Sequence, residues 1–504
     1  MVRKHAARAP QRPALVQDER SLSYAGLDAL MDRVACALQR EGLVPGDAIA
    51  ICADASIEYA AVFLGALRAA VAVAPLAPGS TPEQLAAMLA DSGASHLFLD
   101  AAVAGAIDGP TIDPELKRVA LDASAAGSTL DAWLAPVGAQ PRPVDVDPEG
   151  PFNIIYSSGT TGSPKGIVQP HAMRWGHVQR AAAFGYSPAS VTLLATPLYS
   201  NTTLVVFFPT LAGGGSVVLM AKFDVAAYLR LAESHRATHT MLVPVQYRRL
   251  MDWPGFDAHD LSSFEFKFCT SAPFHAELKA EVLRRWPGGL VEFYGMTEGG
   301  GSCILAAHLH PDKLHTVGQA AEGHDIRLID EHGNEVSRGE AGEVVGRSGA
   351  MMTGYHGRPE MTAEAEWFDA EGRRYIRSGD IGRFDADGFL TLLDRRKDMI
   401  ISGGFNVYPS DLEAVLRRHP AVADVAVVGV PSAAWGETPV AVVVPAAGPV
   451  EAAEDIKDWA NARLGKTQRL NDVRLVAALP RNAIGKVLKR ELREALVAGG
   501  TGAG

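Results

Sequence analysis

The chain of 504 residues is 47% apolar and 21% charged, long enough for roughly three domains or sub-domains and a poor fit to disorder, a fibre or a disulfide scaffold. A net charge of −11 argues against a general nucleic-acid or anionic-membrane surface. Four scattered cysteines, Cys36, Cys52, Cys269 and Cys303, read as reduced cytosolic thiols.

The basic start, Met1-Val2-Arg3-Lys4-His5, has no apolar run behind it, so no secretory signal is expected. Helical periodicity covers residues 24–40 and 57–70, and short apolar stretches at 47–52 and 94–99 read as strands. That alternation predicts an α/β fold with largely buried sheets. Residues 101–149, rich in Ala, Gly, Pro and Asp, read as irregular connection. Residues 181–221 hold 41 positions without Asp, Glu, Lys or Arg. Pro188, Pro197, Pro209 and Gly213-Gly214-Gly215 cut that stretch below the ~20 apolar residues of a membrane helix. It is read as buried strand, turn and helix beside an apolar pocket, and no membrane span is expected. Residues 379–390 predict a strand, a turn and a second strand, followed by the charged run Asp394-Arg395-Arg396-Lys397-Asp398. From Arg395 onward 15 basic residues face 12 acidic ones, while residues 1–394 carry a net −14. A domain boundary is therefore expected near 394, with a small, slightly basic module (395–504) after a large acidic body (1–394).

The sharpest local signal is Tyr156-Ser157-Ser158-Gly159-Thr160-Thr161-Gly162-Ser163-Pro164-Lys165-Gly166, which follows the strand candidate Phe152-Asn153-Ile154-Ile155. Glycines let backbone N–H groups approach an anion, hydroxyls add donors and a lysine adds charge, a combination suited to a polyphosphate. Lys165 is preceded by Pro and followed by Gly, so the segment is not a Walker A loop.

This loop resembles the phosphate loop of the adenylate-forming superfamily, which includes acyl-CoA synthetases, luciferases and peptide-synthetase adenylation domains. Further motifs occur in the family's order. Thr270-Ser271-Ala272-Pro273 resembles G-A-A-P, and Glu292-Phe293-Tyr294-Gly295-Met296-Thr297-Glu298 resembles the stretch around Y-G-x-T-E. Gly342-Glu343 and Gly354-Tyr355 match the next stretch, and Arg377-Ser378-Gly379-Asp380 resembles R-T-G-D. Asp394 to Asp398 is similar to the hinge motif, and Ser402-Gly403-Gly404 and Pro480-Arg481-Asn482-Ala483-Ile484-Gly485-Lys486 complete the set. The resemblance implies a large multi-sheet α/β N-terminal domain with a small mobile α+β C-terminal lid.

It also implies the chemistry. An acyl adenylate forms when a carboxylate attacks the α-phosphate of ATP and pyrophosphate leaves, a step that needs cations and aligned donors. By resemblance, Glu298 is the Mg²⁺ ligand, in keeping with magnesium's preference for one carboxylate plus waters and phosphates. Thr297 donates to the α-phosphate and Tyr294 stacks on adenine. Ser157, Ser158, Gly159, Thr160, Thr161, Gly162 and Lys165 cradle the phosphates. Ser271, Ala272, Pro273, Glu292, Phe293 and Gly295 complete the ATP/AMP site. Asp380 accepts the ribose hydroxyls beside Arg395. Lys486 reaches the α-phosphate and the substrate carboxylate, with Lys397 as the pivot of the lid. Ser402, Gly403 and Gly404 then face the site and let a pantetheine arm pass, so that CoA can attack the adenylate.

Within the family, the stretch Pro197-Leu198-Tyr199-Ser200-Asn201-Thr202-Thr203 has no carboxylate for an amino-acid ammonium, and Ser200 stands where fatty-acyl and coumarate-type ligases carry His. No fused carrier domain is expected after Lys486. The pocket candidates Tyr199, Ser200, Thr203, Phe207, Gln246, Ser271, Tyr294, Gly295, Met296, Gly299 and Gly300 are neutral, which predicts an uncharged aliphatic, alicyclic or aromatic acid. Gly299-Gly300-Gly301 makes room for a bulky acyl group or serves a turn. The expectation is a cytoplasmic, AMP-forming acid:CoA ligase using ATP, Mg²⁺ and CoA, with homodimerisation left open. The alternatives are an adenylation enzyme loading a separate carrier protein and a non-catalytic acyl-adenylate or acyl-CoA binding protein.

Overall fold

The computed structural model describes residues 1–107, 113, 115–157, 165–402, 405–432, 435–446, 452–465, 468–482 and 485–500. Backbone proximity divides the chain into one unit of residues 1–326 and 346–376 and another of 327–345 and 377–504. The expected functional boundary at 394 lies inside the second.

The first unit holds two large sheets. One has nine strands and runs from Gln319–Ala320 through Cys303–Ala306, Gly289–Tyr294, Phe266–Cys269, His239–Leu242, Val191–Leu194, Ser216–Leu219 and Pro13–Gln17 to Arg20–Ser23. From Gly289–Tyr294 to Pro13–Gln17 its neighbours pair in parallel, and both ends close with antiparallel strands. The other, eight-stranded, sheet carries Lys165–Pro170 and Gly354–Tyr355 at its antiparallel end and Ala48–Cys52, Ala72–Pro75 and His96–Leu99 in its parallel part. Ala48–Cys52 is buried along its whole length, which explains its unbroken apolar sequence. The helix Tyr24–Arg40 begins where Ser23 accepts the Gly26 N–H. Between the sheets, Phe63, Phe152 and Phe208 pack ring against ring.

The charge-free stretch is a 3₁₀ turn, Val191–Leu194, the helix Asn201–Gly213 and Ser216–Leu219. Pro209, expected as a breaker, sits inside that helix. The surroundings outweigh the lost hydrogen bond, because Val206, Phe207, Phe208, Thr210 and Leu211 are all buried. Residues 101–149 are more regular than expected, with helices Ala101–Ile107 and Leu130–Trp133 and strand Lys117–Ala120.

In the second unit, Phe405–Val407, Ile400–Ser402, Gly436–Pro445, Val422–Ser432 and Asp472–Leu475 form a five-stranded sheet. Its side chains alternate as strand geometry requires. Val425, Val427, Ala441 and Val443 face Leu412, Leu416, Ile456 and Ala460 of two helices, while Ala426, Val428 and Val442 face Leu479 and Leu492. The predicted strand–turn–strand is also present: the end of Arg374–Phe384 pairs antiparallel with Leu390–Arg395. Among the described residues, no helix is long and apolar enough to cross a membrane.

Candidate active site

Three of the sequence motifs and the pocket candidate Gln246 follow the same edge of the nine-stranded sheet. Val191–Leu194, His239–Leu242, Phe266–Cys269 and Gly289–Tyr294 are successive parallel strands. Residues 197–203, Gln246, residues 271–273 and residues 295–298 follow their respective carboxyl ends. Ligands of open parallel sheets bind at that edge.

Thr297 and Glu298 are pinned there by neighbouring segments. Gln169, on Lys165–Pro170, donates from Nε2 to the Thr297 carbonyl at 2.7 Å, and the Met352 N–H donates to the Glu298 carbonyl at 2.8 Å. The Tyr355 hydroxyl donates to Glu298 Oε1 at 2.9 Å, and Lys165 Nζ lies 4.8 Å from the Tyr355 ring centre. Burial and then the Glu298 charge push the Tyr355 phenol well above its usual range, so it remains a donor. Among the described residues no Lys or Arg pairs with Glu298, and no cluster of three acidic, His or Cys side chains could hold a metal by itself. A partly buried carboxylate with one hydroxyl partner fits a magnesium ion completed by phosphates and waters.

Behind this loop lies a polar group absent from the predicted residues. Arg174, 2% exposed, donates to Gln169 Oε1 at 2.6 Å and to Asn201 Oδ1 at 2.8 Å, and it contacts His177 Nδ1 at 3.3 Å. Burial alone brings its guanidinium down to about 9. Arg180, on the same helix His171–Arg180, meets His324. Basic residues at i, i+3 and i+6 look like a solvated helix face in sequence; only the neighbouring chain makes this face an inner one.

Several expected contacts turn out differently. Glu292 is 4% exposed and ion-paired with Lys279, whose ammonium also donates to the Leu314 and Thr316 carbonyls at 2.9 Å. Burial pushes the Glu292 carboxyl up to about 7 against the pull of Lys279. Its side chain is thus a structural ion-pair partner, leaving only backbone for a nucleotide. Phe293 packs against Phe184 and Phe268, and Phe207 is 1% exposed in the core. Thr203 is fully buried and donates to the Pro197 carbonyl, while Gln246 caps its own helix by accepting from Val243 N–H and donates to the Ala195 carbonyl. These side chains support the loops rather than offering free groups to a pocket. Gly299 (φ 77°) and Gly300 (φ 83°) make a turn against backbone; a Cβ on Gly299 would stand 2.2 Å from the Ala350 carbonyl oxygen. Tight approach, not added room, accounts for these two glycines.

Other predicted residues remain accessible at the sheet edge. Gly295 and Pro273 are exposed; Tyr199, Ser200, Ala272, Tyr294 and Met296 are intermediate. Ser200 heads the helix Asn201–Gly213. Ser271 adopts φ 81°, an unusual conformation for serine, and its hydroxyl lies 2.6 Å from that of Thr202. The Ser157 backbone pairs with Lys165, whereas Ser158, Gly159, Thr160, Thr161 and Gly162 lie outside the described residues.

In the second unit, Asp380 and Arg395 are direct cross-strand partners, 3.0 Å apart from Oδ1 to Nε. Lys486 stands near both and near Lys397. Burial first, then Arg395 and Lys397, bring its ammonium down to about 8. Ser402 ends the strand Ile400–Ser402, and Gly403 and Gly404 lie outside the described residues.

The model of the AMP-binding enzyme family matches residues 2–356, and that of the AMP-binding enzyme C-terminal domain matches residues 411–486. A feruloyl-CoA synthase of Amycolatopsis sp. is 34% identical, with 97% of each chain covered. The fatty acid–[acyl-carrier-protein] ligase ScoC of Streptomyces coeruleorubidus is 31% identical over 97% of this chain and 94% of its own. Among solved structures, ATP-bound MatB from Rhodopseudomonas palustris superposes with a TM-score of 0.86 at 29% identity, covering 98% of both chains. The chain belongs to the AMP-binding enzyme family, in its acyl-CoA synthetase branch.

Proposed function

We propose that this AMP-binding enzyme joins a carboxylic acid to CoA through an acyl adenylate, with ATP converted to AMP and pyrophosphate in the presence of Mg²⁺. The observation that carries the reading is the fixing of Thr297 and Glu298 at the sheet's carboxyl edge by Gln169, Met352 and Tyr355. Pre-set donors and charges cost no reorganisation when negative charge moves onto the leaving phosphates. Thr297 donates to the α-phosphate, Lys165 and the loop before it neutralise the outer phosphates, and Glu298 holds the magnesium. Asp380 accepts from the ribose, with Arg395 fixing its orientation. Lys486 supplies a proton-bearing charge to the α-phosphate and the attacking carboxylate. Residues 395–504 then turn about Lys397, bringing Ser402, Gly403 and Gly404 to the thiol path.

The acid is of the aliphatic, alicyclic or aromatic kind, and the feruloyl-CoA synthase relative favours an aromatic one. Carrier-protein loading is the second reading, favoured by the likeness to ScoC. The cytoplasm is the proposed location. The test is pyrophosphate release over a panel of aliphatic, alicyclic and aryl acids, with CoA, with phosphopantetheinylated carrier protein, and with neither. CoA-dependent thioester formation supports the ligase. Thioester only on the carrier supports the second reading, and no pyrophosphate from any acid rejects both.

A further inference from the structure

Arg180 and His324 meet in a way their own hydrogens cannot satisfy. Arg180 Nη1 lies 3.0 Å from His324 Nε2, and His324 Nδ1 is 2.9 Å from the Ser302 backbone N–H. That N–H can only donate, so Nδ1 is the accepting nitrogen. Burial, then Arg180, brings His324 down to about 4, so the ring is neutral at pH 7 and carries its single proton on Nε2. Two N–H donors therefore face each other, and neither accepts from the other. Among the described residues Arg180 has no carboxylate partner, although burial opposes its charge. Both side chains are partly buried, and donors and charges so placed favour an acceptor.

This donor pair adjoins the expected acyl pocket. Ser302, which anchors His324, has its Oγ 3.0 Å from where a Cβ on Gly295 would stand, within the loop that carries Thr297 and Glu298. Nearer the start of the same helix, Arg174 reaches the Thr297 carbonyl through Gln169. Six residues of helix separate the two arginines, a rise of ~9 Å. One helix thus carries both the support of the Thr297 carbonyl and one of the two facing donors.

We propose that Arg180 and His324 form a specificity subsite that binds an oxygen acceptor, a phenolic, ether or carboxylate oxygen, at the end of the acid remote from its reacting carboxylate. The inference rests on the ligase reading and narrows its acid to one that carries an oxygen remote from the adenylated end. It also revises the expectation of a wholly neutral pocket, which was built without these two side chains.

The test compares pyrophosphate release from matched acids: cinnamate with its 4-hydroxy, 4-methoxy and 4-carboxy forms, and octanoate with octanedioate. The wild-type protein is measured beside Arg180→Gln, Arg180→Lys and His324→Phe. Wild type should favour at least one oxygenated form by tenfold or more in kcat/KM. Arg180→Gln should bring that ratio close to one through KM, with kcat little changed and thermal unfolding intact, and Arg180→Lys should restore part of the preference. Which oxygen wins identifies the acceptor. Equal kcat/KM for each matched pair in wild type, or a preference that survives both Arg180→Gln and His324→Phe, overturns the subsite while leaving the ligase reading in place. Silence on every acid would overturn the ligase reading, and the subsite with it.

Discussion

The two units hold their functional charges by opposite means. In the first, Glu298, Thr297 and Arg174 are tied to neutral partners, Tyr355, Gln169 and Asn201, which fix their positions. In the second, burial and then Arg395 and Lys397 act against the charge of Lys486, with Asp380 and Asp398 as the opposing charges. A neutral framework sets positions; burial and two neighbouring cations hold the Lys486 ammonium below the usual lysine range. The first unit is therefore built to orient, and the second to respond.

The sharpest way to break this contrast is to create an unpaired charge inside the orienting unit. Lys279→Met leaves Glu292 buried without its partner and should destabilise the first unit by ~3–5 kcal/mol in denaturant unfolding, with ATP affinity of the folded fraction unchanged. A large fall in that affinity would show that Glu292 does touch the nucleotide. Next, Lys486→Ala should slow adenylation by ~10²-fold or more while thioester formation from supplied acyl adenylate is largely kept. Equal loss in both half-reactions would mean that Lys486 serves the second unit's structure.

The pH dependence follows from the same lysine. Its folded-state value lies below that of a free lysine, so charge is lost as pH rises through about 8. Adenylation kcat/KM should fall above that pH, approaching tenfold per unit. Lys486→Arg should remove the limb, and Arg395→Gln should move it upward by relieving repulsion. A limb that ignores both substitutions belongs to another group. The smallest expected effect is Tyr355→Phe, which removes one hydrogen bond to Glu298, worth ~1–2 kcal/mol. Activity should fall several-fold with a higher magnesium concentration at half-maximal rate; an unchanged magnesium response would detach Tyr355 from the metal site.

The extent to which sequence revealed all this varied with range. The helix Tyr24–Arg40 was readable to the residue, because its periodicity and its Ser23 cap are local. The motif order identified the family and the edge-of-sheet residues Tyr294, Thr297 and Glu298. Long-range partners stayed hidden. Lys279 and Glu292 lie on separate elements, and nothing about either residue announces the other. The helix His171–Arg180 shows Arg, His and Arg at helical spacing, a pattern that periodicity assigns to solvent. The joining of 327–345 to 377–504 depends on contacts such as Arg377 with Glu343, which no local rule supplies.

The parallel strands that end together have an evolutionary consequence. Each loop leaving that edge begins from a position fixed by buried strand pairing, so its tip can change composition while the others stay in place. Mutational drift at the accessible positions of residues 197–203, such as Tyr199 and Ser200, can therefore retune which acid is accepted while Thr297 and Glu298 stay in place. Such a scaffold is a favourable starting point for directed evolution, where a library confined to the loop tips samples new acids at little risk to folding.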